Sequence, residues 1–175
     1  MADSLIASET MTTTAPTPAE WRTAMGYFPT GVTIVTSWRD GAPVGSTVNA
    51  FCSVSLDPPL LLVCLDVSNP ICRPLVDTGL FGVNILAEDG GGELARRFAI
   101  SPEAGRFEQL GFRAKDGGAP QLVAAPVFVD CAVESVTRAG DHFVVVGRGV
   151  RIDRTPGVKP LLYHAGHFHG FEPQR

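Results

Sequence analysis

No G-x-G-x-x-G run opens a helix after a strand in this chain, and no G-x-x-x-x-G-K-[ST] run occurs. Neither a Rossmann site nor a P-loop is indicated, so any dinucleotide must be held in another way. A G-x-S-x-G nucleophile elbow is missing as well. Basic charge is scarce: 14 Lys and Arg stand against 18 Asp and Glu, for a formal net charge of −4. That balance offers no cationic face to a nucleic-acid backbone. No apolar run reaches the roughly 20 residues that span a bilayer, so neither nucleic acid nor membrane is an expected partner. Cys52, Cys64, Cys72 and Cys131 form no C-x-x-C pair and no tight Cys/His ligand spacing. They are expected to be reduced, small, buried hydrophobes. Residues 1–16 lack the basic start and apolar core of a signal peptide, and carry no Arg for a transit peptide. They read as a loose tail before a single domain over 17–175, with the cytoplasm as the default location.

What is present is mostly strand. Thr17-Pro18-Ala19-Glu20 has a hydroxyl cap, a proline at the first helical position and a glutamate three residues after the cap, which predicts a helix to about Tyr27. GVTIVTSW alternates as a half-buried strand does, and RDGAP places Asp-Gly at a turn, so 31–38 and 42–48 read as a hairpin. LLLVCLD (60–66) is continuously apolar and predicts a central strand buried on both faces. GLFGVNIL reads as another strand and GGELARRFA as a short helix after a glycine cluster. Two long strands, PVFVDCAVESVTR and HFVVVGRGVRI, meet at Ala139-Gly140-Asp141, and PLLYHAGHFHGF closes the chain with a strand pair around Gly166. Hairpins without strand–helix–strand alternation favour a closed or split antiparallel barrel over a doubly wound sheet.

Three groups of residues could carry chemistry. The stretch VGSTVNAFCSVSLDPP presents Ser46, Thr47, Asn49, Ser53 and Ser55 among small and apolar residues, a surface on which a flat polar ligand could lie. His142 sits at a hairpin mouth beside Asp141, as a turn residue facing water or as an imidazole facing a ligand. Arg96-Arg97 is a solvated helix face or, with Phe98 behind it, a phosphate contact. His167 and His169 share a strand face with His164 nearby, yet no carboxylate or cysteine close in sequence completes a ligand set. No metal is therefore expected.

Taken together, FPTGVTIVT, PVGSTVNAFCSVSLDPPLLLVCLD, TGLFGVNIL, LARRFA, GDHFVVVG and PLLYHAGHF resemble, in order, the short-chain flavin reductases, from about Trp21 to Pro173. These are the reductase components of two-component flavin-dependent monooxygenases. The resemblance implies a mainly β fold: an FMN-binding split β-barrel, antiparallel and of Greek-key type, with a few short helices. It also implies a homodimer, NADH or NADPH as hydride donor, FAD or FMN as acceptor, and reduced flavin passed to a separate monooxygenase. By the same resemblance the flavin is wrapped by Ser46, Thr47, Val48 and Asn49, then by Cys52, Ser53, Val54 and Ser55, with backbone N–H groups of a Ser53–Ser55 turn near its N1. Pro29 and Thr30 supply the preceding contact. Asp66, Arg97, Phe98 and Tyr163 complete the cofactor side, and His142 is implied as the residue that positions the nicotinamide. A barrel that holds flavin without turning it over, and a structural dimer whose polar strand meets its twin, are the competing readings.

Overall fold

The computed structural model describes residues 14–100 and 105–173, so of the expected tail only 14–16 can be placed. Among the described residues three helices, α1 (Pro18–Gly26), α2 (Cys72–Thr78) and α3 (Glu88–Ile100), accompany twelve strands. These are β1 (Thr30–Gly31), β2 (Thr33–Arg39), β3 (Ala42–Val48), β4 (Phe51–Leu56), β5 (Pro59–Asp66) and β6 (Leu80–Ile85), followed by β7 (Phe112–Arg113) and β8 (Gln121–Leu122). The long pair β9 (Val127–Ala139) and β10 (His142–Arg154) comes next, then β11 (Leu162–His164) and β12 (His167–His169).

Local chemistry sets the element ends. The Glu20 amide donates to Thr17 Oγ1 at 3.3 Å, while the Thr17 amide donates to Glu20 Oε2 at 2.8 Å, a reciprocal cap on α1. Between β2 and β3, Asp40 (φ 51°) and Gly41 (φ 77°) both adopt the left-handed conformation that a tight hairpin turn requires. Within α3 the backbone breaks at Asp89 and Gly90, so the regular helix begins after the glycine cluster begins to turn.

Seven strands form one antiparallel sheet in the order β3-β2-β6-β9-β10-β5-β4. Its two edge strands, β3 and β4, are consecutive in the chain, with only Asn49 and Ala50 between them. That connection carries the backbone from one edge to the other, so the sheet curls round into a split barrel. A smaller sheet, β1-β11-β12, lies beside it.

Alternation along β2 and β6 fills two apolar layers. Val35, Phe81, Val83, Cys131 and Val145 pack with Val63 and Leu65 inside the curl, under Ile71 and Leu75 of the α2 segment. Ile34 and Val32 pack on the other face with Leu94, Ala95 and Phe98 of α3, and with Leu122. Gly147 is required by the first layer: a Cβ there would lie 2.6 Å from Phe81 Cε1 and 3.1 Å from Cys131 Cβ.

The apolar run of β5 does not behave as its sequence suggests. Leu61, Val63 and Leu65 are buried, but Leu60, Leu62 and Cys64 are only half-buried, because β5 lies next to an edge and no element among the described residues covers its outer face. The strands closed on both faces are β2 and β6, sandwiched between the two layers. The cysteines divide similarly. Cys131 is buried, and burial pushes its thiol up to about 12, whereas Cys64 and Cys72 are half-buried and Cys52 is exposed. All four are free.

Candidate active site

The polar stretch from Ser46 to Ser55 splits into two halves with different tasks. Ser46 is buried, and its Oγ accepts a hydrogen bond from Asn69 Nδ2 at 2.9 Å. Thr47 Oγ1 donates to the Ala95 carbonyl of α3 at 2.7 Å, and Asn49 Nδ2 donates to Thr30 Oγ1 at 3.3 Å. These three side chains hold the β3–β4 crossing in place. Val48 is buried between them. Beyond the crossing the pattern changes. Ser53 is exposed and Ser55 half-buried, and neither hydroxyl bonds another described residue. The Cys52 thiol reaches only the neighbouring Ser53 carbonyl, at 3.1 Å.

The Ser53–Ser55 segment is not a turn. It is a bulge in an edge strand: Ser53 pairs with Leu61 and Ser55 with Leu60, leaving Val54 as the extra, exposed residue. The reversal itself comes later, at Asp57–Pro58. As the last strand of the sheet, β4 has one row of backbone N–H and C=O groups without a ladder partner among the described residues. A ligand edge can therefore meet hydroxyls and backbone together there.

Register then orders the site. Cys64 N–H donates to Ala50 O, and Phe51, Cys52 and Ser53 pair with Val63, Leu62 and Leu61. The polar stretch thus runs antiparallel to β5, from Asn69 and Asp66 at one end to Leu60 at the other. Six residues of strand make a track of about 20 Å.

His142 stands at the Asp66 end of that track, directly paired with Asp66 across β5 and β10. Its Nδ1 lies 2.7 Å from Asp141 Oδ1. Asp141 is held below the usual carboxylate range, first by the hydrogen bond from His142 and then by its charge. Asp66 is lowered chiefly by the Ser68 hydroxyl at 2.6 Å, next by the Ser68 amide at 2.7 Å, with His142 adding to it. Two ionised carboxylates therefore flank one imidazole. An ionised carboxylate only accepts, so Nδ1 carries the proton and Nε2 is left without a described partner. A cavity of about 380 Å³ opens beside this end, under α2, lined by Asn69, Cys72, Val136, Phe143 and Val145 among others. Neither His142 nor the serines line it.

The flavin reductase like domain model aligns with residues 25–172. This chain belongs to the flavin reductase-like family. It is 35% identical over 158 residues to the reductase subunit HsaB of a flavin-dependent monooxygenase from Rhodococcus jostii (strain RHA1), covering 90% of this chain and 80% of that protein. It is 41% identical over 143 residues to the flavin reductase (NADH) of Kitasatospora aureofaciens, covering 79% and 74%. The fold superimposes with a TM-score of 0.82 on Streptomyces globisporus C-1027 NADH:FAD oxidoreductase SgcE6, solved in complex with NAD and FAD fragments. Identity is 33%, and the match covers 89% of this chain and 93% of that one.

Not every residue implied by the family resemblance is free to serve a ligand. Phe98 is fully buried, edge-on to Phe107 at 5.0 Å in the second core layer, so its side chain is a packing residue. Arg97 is half-buried, and its guanidinium donates to the Gly105 carbonyl at 2.8 Å and to the Glu108 carbonyl. It fastens the segment after α3 in place of standing open to a phosphate. The residue missed by sequence reasoning is Arg106, whose Nη1 donates to Gly45 O at 2.7 Å and so reaches the start of the polar stretch. Nothing local to its loop signals that contact, which spans 61 residues. Thr30 pairs with Tyr163 between β1 and β11, and Tyr163 leans on Phe168 at 5.5 Å. Pro29, one residue before, is exposed.

Proposed function

We infer that this flavin reductase-like chain oxidises NADH to reduce FAD or FMN, and releases the reduced flavin to a separate monooxygenase component. The observation that carries the reading is the open β4 edge, with Ser53 and Ser55 unpartnered, lying on one track with His142. Flavin fits that edge: its ring margin offers C=O and N–H groups, its faces are apolar, and the bulged strand presents both kinds of partner. When bound, flavin supplies the N5 acceptor for hydride from nicotinamide C4. The chain's own part is placement. Ser53, Ser55 and the free β4 backbone would hold the polar ring edge, and amide donors there favour charge developing near N1. His142, held by Asp141, would orient the nicotinamide at the other end. No residue need exchange a proton with the reacting atoms. A protein that merely stored flavin would have no use for a histidine held by a carboxylate at this end of the track, which favours turnover over holding. The named activities of HsaB and the Kitasatospora reductase support the same reading.

The direct test is to purify the protein and follow the reduced-nicotinamide absorbance with and without added FAD or FMN. Flavin-dependent NADH loss is expected; none with either flavin overturns the reading. Removing both hydroxyls, in Ser53→Ala/Ser55→Ala, should weaken flavin binding by about 1–3 kcal/mol. Fluorescence titration giving the wild-type affinity would remove these serines from the site.

We also propose that 17–175 acts as one unit, that it works in the cytoplasm beside its NADH supply, and that it is a homodimer. Among the described residues no helix is long and apolar enough to cross a membrane. The half-open outer face of β5, formed by Leu60, Leu62 and Cys64, is the surface that a second copy would cover. Sedimentation equilibrium at micromolar concentration is expected to give twice the chain mass, and a monomer there ends the dimer proposal.

A further inference from the structure

The cavity under α2, about 380 Å³ in volume, is walled off from the flavin track by the sheet itself. Its floor is β10 and β9. Phe143 and Val145 share one face of β10, and Val136 pairs with Val145 across the ladder. Phe143 and Val145 also belong to the first apolar layer, so the cavity is an opening in that layer. His142 comes one residue before Phe143, and strand alternation sends its side chain to the opposite face. The roof is α2, where Cys72 and Val76 stand one turn apart on the same side. Val67 closes one end, its amide donating to the Asp141 carbonyl at 2.9 Å.

The lining decides what such a space can hold, because its polar side chains are already engaged. Asn69 donates from Nδ2 to Ser46 Oγ at 2.9 Å, and its Oδ1 accepts from the Ile71 amide at 3.2 Å. Cys72 Sγ donates to the Asp66 carbonyl at 3.3 Å. Burial, with the Asp66 charge adding to it, holds that thiol above its ordinary range, so it stays a neutral, polarizable wall. Arg73 and Asp77, both exposed at the rim, pair with each other at 3.2 Å and cancel. A guest therefore meets valine, phenylalanine and sulfur, with no unpaired charge in the lining to receive one of its own. Val76 and Val136 are left 55% and 38% exposed at the mouth, apolar surface that a guest would cover. Size sets the rest. An apolar cavity of about 150 Å³ takes one benzene, so this one has room for two to three aromatic rings. Flavin has that size but not that chemistry, since its C=O and N–H edge would find no free partner there.

We propose that the cavity between α2 and the β9–β10 floor binds one small, uncharged aromatic molecule of two to three rings. The site is separate from the flavin track, and its walls touch that track only through Asn69 at Ser46 and Cys72 at Asp66.

Fluorescence titration with N-phenylnaphthylamine, a neutral three-ring probe that brightens in apolar surroundings, tests this on the full chain. One probe per chain is expected. Anilinonaphthalenesulfonate has the same ring skeleton plus a negative charge, and should bind about tenfold or more weakly, because the lining offers that charge no partner. Val76→Trp and Val136→Trp put an indole across the mouth from exposed positions. Displacing roughly 55 Å² of apolar contact is worth a factor of about ten, so each should weaken probe binding by that much or more, with far-UV circular dichroism unchanged. Equilibrium dialysis with saturating FAD should leave the probe bound. No probe uptake by the wild type, wild-type affinity in both tryptophan variants, equal affinity for the sulfonate, or displacement by FAD each overturns the proposal. None of these readings depends on reductase activity, so the two proposals fail separately.

Discussion

Asn84→Leu should cost this protein about 2–5 kcal/mol of stability, a large share of the roughly 5–15 kcal/mol that holds a domain together. Asn84 is completely buried in β6. Its Nδ2 donates to the Ile34 carbonyl at 3.0 Å and to Thr36 Oγ1 at 3.1 Å, while its Oδ1 accepts from the Leu122 amide at 2.8 Å. One side chain thus joins two sheet strands to the β8 segment. Leucine has a similar volume, so packing changes little, but the Leu122 amide loses its partner where water cannot replace it. The expected measurement is a fall in the denaturant midpoint at unchanged slope, taken at fixed protein concentration. A midpoint equal to that of the wild type would mean that the amide finds another acceptor, and that Asn84 is not a keystone of the second layer.

Asn84 also shows what a sequence can and cannot carry. GLFGVNIL declares a strand by its β-branched residues, but the reason for an asparagine in its middle lies 38 residues away at Leu122. The polar stretch behaved in the same way. Its composition marked it as a ligand surface, yet the partners of Ser46, Thr47 and Asn49 lie 23, 48 and 19 residues distant. Only those distant contacts separate the hydroxyls that hold the crossing from the two that remain open. Features decided within four residues, such as the Thr17 cap and the Asp40-Gly41 turn, were legible at once. The β5 run was misleading because burial of its second face depends on strand order, and no local pattern encodes that. The burial of Phe98 is encoded locally: it follows Leu94 by four residues and Ala95 by three, the spacing of a core-facing helical stripe.

The largest functional effect is expected at His142. His142→Ala should lower kcat/KM for NADH by about 10–100-fold, because a misplacement of roughly 1 Å at transfer distance costs that much. Flavin affinity should hardly change, since Ser53 and Ser55 stand at the other end of the track, and Ser53's partner Leu61 is five residues along β5 from Asp66. The physical basis is the bracing of one ring. Asp141 holds Nδ1 at 2.7 Å, Asp66 faces it across the ladder, and Ser68 keeps Asp66 ionised. Alanine removes the ring and leaves both carboxylates exposed to solvent, so the fold is not at risk from a buried charge. Two kinetic outcomes separate placement from mere binding. Loss confined to KM would mean that His142 only adds affinity for NADH, whereas a fall in kcat as well means that it sets the geometry of transfer. A correctly folded variant with wild-type NADH kinetics would show that His142 is a turn residue facing water, and the flavin edge at β4 would have to carry the enzyme reading alone.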